Sequence, residues 1–280
     1  MLKKGLYIVA TPIGNLKDLS ERALEVLKET QIIACEDTRI TKKLLSLLGI
    51  SLNKKFMTYE DHSEEQRSQG IIDLINTEDT AVVLVSDAGS PLISDPGYKL
   101  VRKCREQNIP VYTLPGCCAI ICALQLSGLP TNRFMFAGFI PNKEKGRADL
   151  FNELVDVDTT LVFYETAPRL LKTLNVAETI FKQREIAVAR EITKVYEECI
   201  RGTAQELIEH FTQNPPKGEI VLMVAPPLPK EAEEIDLNSV LTEKMLNVPL
   251  KTAVNEVVQE YGLNKNEVYR KAVEIKNNQA

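Results

Sequence analysis

The sequence predicts an α/β protein: two α/β domains in succession, then a small all-α extension with a helix-turn-helix-like pattern. Three observations carry that reading. Short apolar runs alternate with helical patterns from residue 6 to residue 224, the signature of a largely parallel sheet covered by helices. One run, Ala81-Val-Val-Leu-Val85, has three β-branched residues in five and suits a strand buried on both faces. Beyond Ala225-Pro-Pro-Leu-Pro-Lys-Glu-Ala-Glu-Glu234, a linker-like stretch rich in Pro and acid, three short helical patterns close the chain. The expected partition is 1–128, 129–226, a linker at 227–236 and a helical unit at 237–280.

The apolar run 81–85 breaks at Ser86-Asp-Ala-Gly-Ser-Pro91, six small, polar or ring-locked residues that make a tight turn. Asp95-Pro-Gly97 then predicts a helix start, with Asp95 as N-cap and Pro96 at the first helical position. A strand passing through such a turn into a helix is where α/β sheets hold ligands. The turn has no Lys, unlike a Walker loop, and Asp87 suits a neutral or cationic ligand.

The first strand is expected at 6–10, followed by a rigid loop, Thr11-Pro-Ile-Gly-Asn15, and a helix capped by Ser20. The strand at 31–35 ends in Glu36-Asp-Thr-Arg39 and leads into a helix stopped by Gly49. A short strand at 55–59 precedes Glu60-Asp-His-Ser63 and a polar helix. The fifth strand, 110–114, meets a third loop, Pro115-Gly-Cys-Cys-Ala119, before a helix at 120–126. After Ser127-Gly-Leu-Pro-Thr-Asn132 come strands at 134–139, 160–164, 186–190, 195–201 and 219–224, with helices at 147–155, 168–181 and 203–212. The close spacing near 190–201 points to mixed strand pairing. The last helices, at 237–245, 249–260 and 265–276, include a turn at Tyr261-Gly-Leu263.

Of the 280 residues 44% are hydrophobic and 26% charged, ordinary values for a globular chain with room for two domains. A net charge of −5 gives no global pull toward nucleic acid, so any RNA contact needs a local basic patch. The apolar run 6–10 is too short for a signal peptide or membrane span, which fits a cytoplasmic protein. Six Cys without a C-x-x-C pair, and two His, favour reduced thiols over disulfides or a metal site.

The three strand-end loops, with Glu36-Asp-Thr-Arg39 and Leu161-Val-Phe-Tyr-Glu165, form an ordered set. It resembles the ribosomal RNA small-subunit methyltransferase I family, of the tetrapyrrole methylase superfamily of class III S-adenosylmethionine-dependent methyltransferases. The likeness runs from about Leu6 to Val224, and the tail is similar to an extension carried by some members. The resemblance implies two α/β domains with the cofactor, S-adenosyl-L-methionine, in a cleft between them, and a homodimer. It implies 2′-O-methylation of a cytidine ribose in the decoding region of small-subunit rRNA, on the RNA or the assembled small subunit. Two departures stand out: Cys117 replaces the second Pro usual in the third loop, and Thr166-Ala-Pro-Arg169 lacks the His usual there.

The resemblance assigns cofactor contacts to Pro12, Asp87, Ala88, Gly89, Ser90, Ile93, Cys118, Ala119 and Tyr164. Gly89 and Ser90 let main chain approach the ligand, and Cys118 and Ala119 offer amides at a helix start. Tyr164 either covers the cofactor or is a core Tyr with a satisfied hydroxyl. Glu36, Asp37 and Arg39 either orient ribose and phosphate or form a helix cap with a surface Arg. Glu165 is a second candidate base, or the partner of Arg169 four residues on. RNA contacts are expected from Lys42, Lys43, Lys143, Lys145, Arg147 and Arg169, with smaller basic groups at Arg190 and Lys194. Two other functions fit the same loops: carbon methylation of a tetrapyrrole, and non-catalytic RNA binding in ribosome assembly.

Overall fold

The computed structural model describes residues 2–60, 64–228 and 236–278. Most of the expected linker, 229–235, lies outside the described residues, as does His62 with its neighbours at 61–63. The chain forms two compact units, Met1–Pro227 and Leu228–Ala280.

The first unit opens with a five-stranded, wholly parallel sheet. Its strands are β1 (Gly5–Val9), β2 (Ile32–Cys35), β3 (Lys55–Thr58), β4 (Ala81–Val85) and β5 (Val111–Leu114), in the order β3-β2-β4-β1-β5. β4 sits at the centre, all five residues buried, as its unbroken apolar run requires. Helices α1 (Glu21–Glu29), α2 (Thr38–Leu47), α3 (Glu64–Thr77) and α4 (Tyr98–Glu106) connect the strands. Ser20 caps α1 as expected, its Oγ accepting from Ala23 N at 3.3 Å.

The start of α4 differs from expectation. Gly97, at φ 139°, occupies the N-cap and the helix begins at Tyr98. Leu92 and Ser94 hold left-handed backbone at φ 74° and 64°, so the turn after β4 runs longer than its Asp-Pro-Gly ending implies. Asp95 therefore does not cap the helix and lies instead in the wall of a cavity.

The second sheet is mixed, as the strand spacing predicts. It contains β6 (Phe134–Phe139), β7 (Thr160–Thr166), β8 (Ile186–Arg190), β9 (Glu198–Gly202) and β10 (Glu219–Val224), in the order β6-β7-β10-β8-β9. Within it β6 and β7 run parallel, while β10 is antiparallel to both β7 and β8, and β8 to β9. β9 begins later than the expected 195, because Val195 and Tyr196 sit in an exposed turn, 91% and 73% accessible.

Helices α6 (Glu144–Leu154), α7 (Leu170–Phe181) and α8 (Ala204–Gln213) bury Phe151, Leu174, Phe181 and Phe211 on one face of this sheet. Thr203 and Glu206 form a reciprocal capping box at α8. The other face is covered by α5 (Ala119–Ser127), whose Ile120, Ala123 and Leu124 pack on Val162, Ala187, Ala189, Val221 and Met223. α5 thus leaves a strand of the first sheet and serves the second.

α6 starts three residues before the expected helix. Arg147 consequently shares a buried face with Phe151 and Leu154, rather than lying on a basic loop. The second unit contains α9 (Leu237–Asn247), α10 (Leu250–Tyr261) and α11 (Lys265–Asn278), with a core of Leu241, Val254, Val257, Val268 and Ala272. Gly262, left-handed at φ 65°, ends α10 where the sequence marks a turn.

Candidate functional site

The loops after β1 and β4 are joined by backbone. Thr11 N donates to Gly89 O at 2.8 Å, and Gly89 N returns a bond to Thr11 O at 3.0 Å. Thr11, fully buried, also donates its hydroxyl to Ser86 O at 3.2 Å. Two turns rich in Gly and Pro thus act as one rigid lip above the parallel sheet. Beside them Cys118 stands at the N-cap position of α5, at the end of the loop after β5.

β7 brings the opposing wall. Tyr164 is half-buried against Phe136 and Phe139, with ring centroids 4.8 and 5.2 Å away, and burial pushes its hydroxyl pKa up. Together these elements enclose a cavity of about 410 Å³. Asp87, Ala88, Gly89, Ser90, Ile93, Cys118, Ala119 and Tyr164, all expected around one ligand, line this single hollow. Pro12 does not; its neighbour Ile13 does.

A second cavity, of about 590 Å³, adjoins the first and shares Glu36 and Asp87 with it. Its other walls are Asp37, Thr38, Arg39, Thr58, Glu60 and Pro96. Asp37 N donates to Asp87 Oδ1 at 3.1 Å. Burial pushes the Asp87 pKa up, against the lowering effect of that hydrogen bond, and the nearby Asp37 charge adds to the rise. Asp37 itself caps α2 and grips Arg39, with Arg39 Nη2 2.6 Å from Oδ2. The Arg39 hydrogen bonds hold the Asp37 carboxyl down to about 2. The cap-and-surface-Arg alternative therefore describes the geometry, and the guanidinium still stands exposed at the cavity rim.

Glu165 also takes the structural alternative. Its carboxylate is fully buried, 2.9 Å from Arg169 Nε, and accepts from Thr173 Oγ1 at 2.5 Å and Thr166 N at 2.7 Å. Glu165 lines the first cavity, but its oxygens are committed. Arg169, which also donates to Ile140 O, is correspondingly unsuited to an RNA phosphate.

The other basic candidates divide. Arg147 is 4% exposed and donates to Asn142 O at 2.9 Å, so an RNA contact from it is excluded. Lys143 and Lys145 are exposed at the start of α6. Lys43 is exposed, and Lys42 lies over the Phe56 ring at 4.9 Å. Arg190 and Lys194 are both ion-paired, Arg190 to Glu198 and Lys194 to Glu191 and Glu219, so neither forms a free basic patch. All six Cys are free thiols, and Cys117, in place of a Pro, donates to Asp18 O at 3.4 Å.

Sequence reasoning missed Phe139, Glu191, Ile192, Glu219 and Val221 as cavity walls. They converge because β10 lies antiparallel between β7 and β8, setting Val221 opposite both Tyr164 and Ala189. Acidic residues at strand ends near 191 and 219 were the available signal.

The sequence profile of the family described as Tetrapyrrole (Corrin/Porphyrin) Methylases matches residues 5–208. "Ribosomal RNA small subunit methyltransferase I" of Erythrobacter litoralis (strain HTCC2594) is 50% identical over 275 residues, covering 98% of this chain and 96% of that protein. The protein of the same name from Rickettsia prowazekii (strain Madrid E) is 48% identical over 237 residues, 85% of this chain and 84% of that one. Among solved structures, diphthine synthase superposes with a TM-score of 0.62 at 15% identity, over 79% of this chain and 89% of that chain, a likeness of fold alone. The bridged loops, the cleft between two sheets and this near full-length identity place the chain in the tetrapyrrole methylase family, within its ribosomal RNA small subunit methyltransferase I group.

Proposed function

We propose that this protein transfers a methyl group from S-adenosyl-L-methionine to the 2′-hydroxyl of a cytidine ribose in the decoding region of small-subunit rRNA. The observation that carries the proposal is the meeting of two cavities at Glu36 and Asp87. The first has the size of a small-ligand site and walls suited to the donor. Ile13, Ile93, Val221 and Tyr164 offer apolar surface for an adenine, the start of α5 at Cys118 and Ala119 offers amides for a carboxylate, and Asp87 offers charge for a cation. The donor, when bound, supplies a methyl group already activated on a sulfonium.

The chain's own residues then have three tasks. The rigid lip at Thr11 and Gly89 fixes one wall, so that donor and acceptor meet in one orientation. The second cavity admits the acceptor ribose, with Arg39 at its rim for a flanking phosphate. Glu36 or Asp87, at the junction, accepts the hydroxyl proton as the oxygen attacks; positioning supplies most of the rate.

The names of the relatives support rRNA as substrate. The polar second cavity favours a ribose over the broad apolar trough that a tetrapyrrole needs. The reading includes a cytoplasmic homodimer acting on the RNA or the assembled small subunit. No described helix is long and apolar enough to cross a membrane. The test is labelled methyl transfer to small subunits from a strain lacking the modification, followed by mapping of the methylated nucleotide. Label on a cytidine ribose is expected. No incorporation into subunits or free rRNA, or label on a base carbon, overturns the proposal.

A further inference from the structure

Six carboxylates line the first cavity: Glu36, Asp87, Asp95, Glu165, Glu191 and Glu219. Among the described lining residues there is a single cation, Lys194. The charge of Glu165 is matched by Arg169 from outside the wall. Lys194 is shared between two carboxylates, with Nζ 2.9 Å from Glu191 Oε1 and 3.5 Å from Glu219 Oε2. This part of the wall therefore stays net negative.

The arrangement is held by its surroundings. Glu191 and Thr193 carry positive φ, 49° and 66°, a strain that persists only where neighbours enforce it. Thr193 N donates to Glu197 Oε2 at 2.6 Å, Lys194 N to Glu191 O at 2.9 Å, and Glu191 N to Glu219 O at 3.4 Å. A Cβ at Gly218, itself at φ 85°, would collide with the Glu191 carboxylate. A Cβ at Gly14 would sit 2.6 Å from Lys194 Cγ. Both glycines leave room for this one cluster, and Gly14 brings the loop after β1 against it.

We propose that Glu191, Lys194 and Glu219 set the preference of the cleft for the cationic methyl donor over its neutral thioether product. The proposal rests on the cleft being the donor site. In the transfer, a bond forms between the ribose oxygen and the methyl carbon, the carbon–sulfur pair returns to sulfur, and the hydroxyl proton passes to Glu36 or Asp87. The ligand left behind has lost one positive charge and little of its shape. Its apolar and hydrogen-bonding contacts are nearly those of the donor, so the ratio of the two affinities isolates the charge. Glu191 and Glu219 raise that ratio, Lys194 lowers it, and the spent product is released.

The experiment is calorimetric titration of the full-length protein with S-adenosylmethionine and, separately, S-adenosylhomocysteine. The variants are Glu191→Gln, Glu219→Gln and Lys194→Met. Removing one unit charge from this solvent-screened part of the wall changes the ratio by about two- to fivefold, with the smaller change at the largely exposed Glu219. Glu191→Gln and Glu219→Gln are expected to lower the donor-over-product ratio, and Lys194→Met to raise it. Unchanged ratios, or shifts of the same sign for the acidic and basic variants, overturn the proposal. A packing lesion weakens both ligands together and gives that unchanged ratio. If Glu191→Gln does not fold, Glu219→Gln, whose side chain is 83% exposed, reads the same quantity. A wild-type protein that binds neither ligand removes the donor-site reading and the charge proposal with it. Wild-type binding with insensitive ratios removes the charge proposal alone.

Discussion

The backbone amide of Asp37 donates to the carboxylate of Asp87 at 3.1 Å, tying the end of β2 to the end of the adjacent β4 where the two cavities meet. One carboxylate therefore orders a turn and stands at the junction. Asp87→Asn keeps an acceptor for the amide and removes the charge. Methyl transfer is expected to fall by about a hundredfold or more, with the unfolding midpoint nearly unchanged. Asp87→Ala loses the acceptor as well and costs about 1 kcal/mol of stability. An Asn variant with wild-type turnover removes Asp87 from the chemistry.

Asp37 gives a pH dependence of definite sign. Arg39 holds its folded-state pKa at about 2, below the ordinary 3.8. The stabilisation is fully present above the ordinary value and is lost as pH falls from there toward 2. Thermal unfolding of wild type and Asp37→Asn should differ by a constant amount at neutral pH, and the curves should converge between about pH 4 and pH 2. A gap undiminished at pH 2 contradicts this.

Glu165 is expected to act on stability before chemistry. Glu165→Ala leaves Arg169 without its buried partner and should cost about 3 kcal/mol or more in urea unfolding. Thr173→Val removes one hydrogen bond to the same carboxylate and should cost about 1–2 kcal/mol. A Glu165→Gln variant with full stability but no turnover would instead assign the carboxylate a part in the reaction.

Arg147 and its lysine neighbours should separate cleanly. Arg147→Ala is expected to lower stability by about 1–3 kcal/mol, through the missing bond to Asn142 and poorer packing, with the salt dependence of RNA binding unaltered. The pair Lys143→Ala and Lys145→Ala should leave stability alone and reduce the salt slope by about 0.7 for each RNA phosphate no longer neutralised. An unchanged slope removes these lysines from the RNA surface.

Tyr164 tests the aromatic wall. Tyr164→Phe should bind S-adenosylmethionine within about threefold of wild type, while Tyr164→Ala should lose about tenfold or more, measured by calorimetry. Equal losses would mean that the hydroxyl, not the ring, does the binding.

What the sequence revealed follows what is local. The run 81–85, the Ser20 cap and the three strand-end loops are set by neighbouring residues, and the structure has them where expected. The late start of α4 was hidden because Leu92 and Ser94 adopt left-handed backbone without being Gly or Asn. Arg147 was misread because Lys-Glu-Lys-Gly-Arg looks like a basic loop; its spacing to Phe151 and Leu154 already marked a buried helical face. Glu191 and Glu219 reach the cavity only through the antiparallel pairing of β10 with β8 and β7, which no local pattern encodes.

Helix α5 starts from β5 of the parallel sheet yet roofs the mixed one, over Val162, Ala187, Ala189, Val221 and Met223. The mixed-sheet half is not self-sufficient as a module. A gene fragment ending after β5 strips the lid from its neighbour, and one beginning at β6 displays a bare oily floor to water. Recombination between relatives is consequently tolerated only at cuts that keep this helix with the floor it shelters.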